Sequence, residues 1–220
     1  MRKAFIASFV LLGLFVGRAE AQYNPYGPQQ NVPLAVILAG GWTQCYAAGM
    51  GVPIGNDAEN VLTPCQGENI MMAGRVAGDP IFLLLAAGNR AAVTLDVGDG
   101  ADSHHPVNGS EWYFSPSWSW GFAPLGDYTN RLSCDIVGST SFDPGGPDGD
   151  KRMCLHTAAG YGGWRIGLFD FLNDEPTGFE KVFFVNNVNA VPEPASLALL
   201  GTGLVGIYGA VRRRRGNKQV

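Results

Sequence analysis

Two uncharged apolar runs, one at each end of the 220-residue chain, confine the folding problem to what lies between them. The first follows Met1-Arg2-Lys3, fills residues 4–17 and closes on Arg18-Ala19-Glu20-Ala21. A basic start, an apolar stretch and a small-x-small ending are the order of a cleavable export signal over residues 1–21. Ala19 and Ala21 fit the two small pockets of a signal peptidase, which leaves Gln22 as the expected mature terminus. A permanent anchor is the alternative, but the run is short for a bilayer crossing and ends in a cleavage pattern.

The second run, residues 195–211, follows Val191-Pro192-Glu193-Pro194 and precedes Arg212, Arg213, Arg214 and Arg215. As a helix it spans about 25 Å, a little short of a hydrocarbon core. Snorkelling arginines make up the difference and act as a membrane stop on the cytoplasmic side. Everything before Pro192 is then expected to face outward. A Pro-Glu-Pro tripeptide, an apolar helix and a basic tail, in that order at the C-terminus, closely resemble the PEP-CTERM sorting domain, across residues 191–215. That resemblance implies recognition of the motif, and cleavage near it, by a membrane-embedded exosortase. It also implies export by a Gram-negative bacterium of the kind that makes exopolysaccharide. Proline lacks an amide hydrogen and resists helix, so the motif is expected to stay extended and open to a processing enzyme. A plain anchor with a chance Pro-Glu-Pro is the competing reading. Gly201-Thr202-Gly203-Leu204-Val205-Gly206 has dinucleotide-binding spacing, but it lies inside the apolar run with no acid after it, so it is not a nucleotide site.

Between the ends, residues 22–190 are long enough for one domain with a proper core. They hold 7 bases and 17 acids, so 7 − 17 = −10, against −4 for the whole chain. That charge argues against a nucleic-acid partner. Charged residues are only 15% of the chain and glycines number 31, which favours a loop-rich β domain over a helical bundle. Short apolar or alternating runs predict strands over 34–38, 70–76, 81–86, 92–97, 111–114, 118–122, 153–157, 164–169 and 181–185. The expectation is an all-β, sandwich- or barrel-like domain over 33–187, preceded by a leader linker at 22–32. Residues 188–220 supply a linker, the motif, the transmembrane helix and the tail.

Cys45, Cys65, Cys134 and Cys154 all fall in the exported part, where the compartment is oxidising. Four cysteines allow three pairings. Equal separations of twenty favour Cys45–Cys65 and Cys134–Cys154, each closing a loop worth roughly 3 kcal/mol. Zinc is the rival, although no C-x-x-C spacing is present.

Three stretches could carry chemistry. In 111–122, Trp112, Phe114, Trp118, Trp120 and Phe122 share one side of a strand pair by alternation. Large aromatics usually make core. The sharper reading is a glycan-stacking platform of Trp112, Trp118 and Trp120, with Trp118 the best candidate because it follows the turn-forming Pro116-Ser117. Asp143, Asp148 and Asp150 form a glycine-rich acidic turn that could hold calcium, as could Asp96, Asp99 and Asp102 before His104-His105. Neither stretch matches an EF-hand loop, and Asp-Gly pairs are ordinary turn chemistry. No other cofactor is indicated. His156, beside Cys154, reads as structural, and no assembled catalytic motif is present. The chain therefore reads as an exported binding or structural module of the cell surface or biofilm matrix, with extracellular polysaccharide as the expected partner. A secreted enzyme acting on polysaccharide or another extracellular substrate is the alternative.

Overall fold

The longest strands form around the longest apolar runs of the domain. β3 (Asn69–Val76) and β4 (Ile81–Asn89) are buried along most of their length. They join through a turn at Gly78, whose φ is +77°. The computed structural model describes residues 23–98, 102–129, 146–158, 160–173 and 178–187. Within them lie ten strands, including β1 (Gln29–Pro33), β2 (Thr43–Gly49), β5 (His105–Val107), β6 (Ser110–Phe114) and β7 (Ser119–Pro124). The others are β8 (Met153–His156), β9 (Gly163–Ile166) and β10 (Phe179–Asn186), with short helices α1 (Leu34–Ala39), α2 (Glu59–Leu62) and α3 (Arg90–Val93).

The strands make two five-stranded sheets, ordered β1-β4-β3-β10-β2 and β5-β6-β7-β8-β9, with every neighbouring pair antiparallel. The second sheet is a simple meander. In the first, β10 arrives from the far end of the domain to lie between β3 and β2. The strands belong to one compact unit, Gln22–Val188; the other unit, Met1–Ala21 with Asn189–Val220, lies outside the described residues.

Alternation sorts the side chains into layers. Ile70, Met72, Leu84, Ala86 and Phe183 of the first sheet face Trp112, Phe114, Trp120, Phe122, Met153, Leu155 and Ile166 of the second. This is a β-sandwich core. Trp120 stacks on Phe183 across it, with ring centroids 5.1 Å apart. Burying each such side chain contributes about 1.5–3 kcal/mol. At Gly74 a Cβ would stand 2.6 Å from the Ile166 side chain, so only glycine permits the sheets to approach there. The outer face of the first sheet carries Met71, Ala73, Leu85, Ala87, Val182 and Phe184, covered by Ile37 of α1, Val32 and Trp42. The fully buried Lys181 donates to the carbonyls of Gly49 (2.6 Å), Met50 (2.9 Å) and Val52, binding the turn after β2 to β10.

Several expectations are corrected. Residues 34–38 form α1, not a strand: Leu34 and Ile37, three apart, turn inward, Pro33 opens the helix and Gly40-Gly41 ends it. An unbroken apolar run does not by itself distinguish helix from strand. Residues 92–97 are not a strand either, because the Asn89 side chain accepts the Ala92 amide and caps α3. The leader segment is docked rather than a linker: β1 pairs with β4, the Gly27 amide donates to the Asn108 carbonyl, and Trp42 Nε1 donates to the Tyr23 carbonyl. The described residues contain one complete disulfide rather than two. Cys45–Cys65 has Cα atoms 5.2 Å apart. Cys154 is buried, and Cys134 lies outside the described residues.

Candidate functional site

The aromatic segment divides at its turn. Trp112 and Trp120 are wholly buried in the inter-sheet core and offer no face to a ligand, so the three-residue platform is corrected to one exposed member. Trp118, in the β6–β7 turn closed by the Ser115 amide on the Ser119 carbonyl, is 43% exposed. Alternation fails there because the chain reverses between Phe114 and Ser119, so Trp118 leaves the face its neighbours share.

Trp118 borders a surface that sequence reasoning did not assemble. Its carbonyl accepts the Thr157 amide, and its backbone bonds the His156 side chain. From His156 the outer side of the second sheet continues as aromatic rings. Tyr161 lies 5.7 Å and Trp164 6.1 Å from the imidazole, centroid to centroid. Phe171 lies 4.5 Å from Trp164. Tyr161 and Phe171 are 56% and 63% exposed. Beneath them, Tyr113 and Cys154 are buried against Trp164 and form the floor. The ledge runs along β9, an edge of the sheet.

The chain after β9 holds the outermost ring in place. Ile166 and Phe169 exchange backbone hydrogen bonds, and the Leu172 amide donates to the Trp164 carbonyl while its side chain enters the core. Between these two anchors Phe171 takes φ +55°, a conformation bulky L-residues avoid. Burial lowers the His156 pKa, and its bond to the Trp118 backbone opposes this more weakly. The imidazole is therefore neutral at neutral pH and extends the aromatic surface without adding charge. Trp164 Nε1 is buried and makes no hydrogen bond among the described residues. The signal for this site was the density of aromatics over 161–171, spaced by glycines; only 164–169 was read, and only as a strand.

The acidic stretches do not converge on a metal site among the described residues. Asp143 and the Asp148 side chain lie outside those residues, and Asp150 Oδ2 accepts Gln30 Nε2 at 2.9 Å. The two adjacent histidines part, as strand alternation requires. His105 Nε2 meets the Ala92 carbonyl at 2.9 Å, whereas His104 lies between Glu111 Oε2 (2.8 Å) and Asp102 Oδ1 (3.2 Å). Glu111 also accepts the Gly126 amide and Asp102 the Thr129 amide, so this cluster ties loops together.

Fold and surface together define a β-sandwich with an aromatic ledge along one edge strand. Residues 190–215 match the PEP-CTERM protein-sorting motif, which contains Val191 to Pro194 and Arg212 to Arg215. The motif marks an exported, exosortase-sorted protein that is anchored in the membrane during sorting and processed by an exosortase-like enzyme. No curated protein and no solved structure matches the chain. No helix among the described residues is long and apolar enough to cross a membrane, and residues 195–211 lie outside them.

Proposed function

We propose that the sandwich is a binding module for neutral extracellular polysaccharide, delivered to the outer surface or the medium by its sorting motif. The observation that carries this reading is the run of rings His156, Tyr161, Trp164 and Phe171, of which Tyr161 and Phe171 are exposed, with the exposed Trp118 joined to it through its backbone. Aromatic faces offer apolar area and a π-surface to the C–H groups of a sugar ring, and the Tyr161 hydroxyl and the Trp118 indole N–H supply polar contacts. A row along a strand edge suits a linear polymer better than a single small ligand. The charge of residues 22–190, 7 − 17 = −10, disfavours an anionic polymer through like-charge repulsion. Export in this reading begins with signal-peptidase cleavage before Gln22, and Cys134 pairs with Cys154 once outside.

Pull-down on insoluble cellulose and on alginate gel tests the ligand class. Retention on the neutral polymer, lost in Phe171→Ala and Trp118→Ala while the melting temperature stays near wild type, is the expected result. Preferential retention on alginate, or equal retention of both variants, overturns it.

A further inference from the structure

A concave surface lies between the first sheet and the β5–β6 hairpin, away from the aromatic ledge. At one end of the outer face of the first sheet, three asparagines stand in a row on adjacent strands. Asn69 of β3 is in register with Asn89 of β4 on one side and with Asn186 of β10 on the other. Alternation places them on the face that carries Met71, Ala87 and Phe184. Above the row, Asn24 and Pro25 of the N-terminal segment, Trp42, and Val107 and Asn108 of the β5–β6 hairpin close a cleft of about 450 Å³. That is within the range of small-ligand clefts, ~300–1,000 Å³.

The lining contains no charged residue. It alternates amides with apolar surfaces, and several amide atoms are uncommitted. Asn69 Nδ2 donates to Asn186 Oδ1 at 3.0 Å, which leaves the Asn69 carbonyl oxygen without a partner among the described residues. Asn108 gives Nδ2 to the carbonyls of Pro25 (2.6 Å) and Ala87 (2.9 Å), a brace that fixes the wall and leaves its own Oδ1 open among the described residues. Asn24 is exposed and makes no side-chain hydrogen bond among the described residues. Asn186 is 95% buried and does not line the cleft; its Oδ1 holds the Asn69 amide, and its Nδ2 has no partner among the described residues. Amides in a prebuilt wall are normally paired, so the open oxygens of Asn69 and Asn108 point to a polar ligand in the cleft.

We propose that this cleft binds a single neutral sugar residue, whose hydroxyls are taken by the amides of Asn24, Asn69 and Asn108 and whose C–H surface meets Trp42 and Val107. A hydroxyl both donates and accepts, as an amide side chain does, so neighbouring hydroxyls match neighbouring amides without any charge. A phosphate or carboxylate would find no cation in the lining, and a metal ion no carboxylate or imidazole. The braced wall and the β-sheet floor are already formed, which limits the ordering cost of binding. This site does not depend on the ledge: its floor is the first sheet, its hairpin wall lies at the β5 edge of the second sheet, opposite the β9 edge, and the two share no residue.

Saturation-transfer NMR on the full-length protein, held in a detergent without a sugar headgroup, tests it with millimolar D-glucose, D-galactose and D-mannose in turn. At least one hexose is expected to receive saturation that is several-fold weakened in Asn24→Ala and in Asn69→Leu and that persists in Phe171→Ala, which removes only the contribution of the ledge. Asn24 makes no bond on which the fold relies, so its variant reads the site even if Asn69→Leu misfolds. Absence of transfer to all three hexoses overturns the proposal, and so does transfer unchanged in Asn24→Ala. Transfer that survives both asparagine changes but disappears in Phe171→Ala places the sugar on the ledge instead, overturning this site while supporting the ledge.

Discussion

Phe171 is held where its backbone is least comfortable, and its ring remains largely in solvent. A side chain kept at positive φ costs about 1–2 kcal/mol relative to glycine. Its contact with Trp164 returns roughly 0.5–1.5 kcal/mol. Phe171→Gly is therefore expected to leave the melting temperature level or slightly higher while removing polymer retention. A clear fall in melting temperature would make the ring a structural element and weaken the binding reading. His156 gives a second prediction, in pH. Because burial lowers its folded pKa below the ordinary value of about 6.5, the unfolded chain takes up a proton in that interval before the folded chain does. The contribution of the neutral ring is complete above about pH 6.5 and is lost as pH falls toward the folded value. Thermal melts between about pH 5 and 7 should show a smaller acid-side loss for His156→Phe than for wild type. Identical slopes for the two proteins would remove His156 from the acid response.

The elements explain why one tryptophan segment contains both core and surface. β6 and β7 pair Trp112 with Phe122 and Phe114 with Trp120, and all four rings enter the space between sheets. Trp120→Ala removes a ring stacked on Phe183 and should cost about 3–5 kcal/mol, enough to unfold much of the population. Trp118→Ala, at the turn, should fall within about 0.5 kcal/mol of wild type. Chemical denaturation of both variants measures the difference, and comparable losses would mean that the turn is part of the core. Strands buried on both sides, such as β3, β4, β6 and β10, were legible because their apolar runs are long. β2 was not: as an edge strand paired only with β10, it carries Thr43, Gln44 and Ala47 toward solvent and shows no alternation. β1 was hidden by the Gln, Asn and Pro composition that suits an edge. β5 was missed for its length of three residues, although Asn108-Gly109, both at positive φ, is a strong hairpin signal. The ledge was least legible, since it joins His156 of β8 to Phe171 beyond β9 through a fold-back that no local pattern encodes.

For the whole molecule, the sorting motif supplies delivery and the proposed function gives binding to the sandwich, and the chain between them is short. β10 ends at Asn186, and Pro192 follows six residues later. The span before the apolar run therefore has to stay both accessible and non-helical if a membrane enzyme is to act beside a folded domain. Pro192 and Pro194 enforce this: neither can donate a backbone hydrogen bond, and each also disfavours helix at the residue before it. Replacing both by alanine restores the two donors and the best helix former, so nothing at the motif would then stop a helix, if the apolar run forms one, from extending through it. The double variant should accumulate as an uncleaved, membrane-bound form, seen as a slower band in the membrane fraction on immunoblots. The sandwich itself should be untouched, with its Cys45–Cys65 bond formed and its polymer retention intact after detergent extraction. That pairing of outcomes matters, because a misfolded domain would also stall export but would lose retention. Processing of the double variant at the wild-type rate would mean that the enzyme reads the motif by something other than its extended proline geometry.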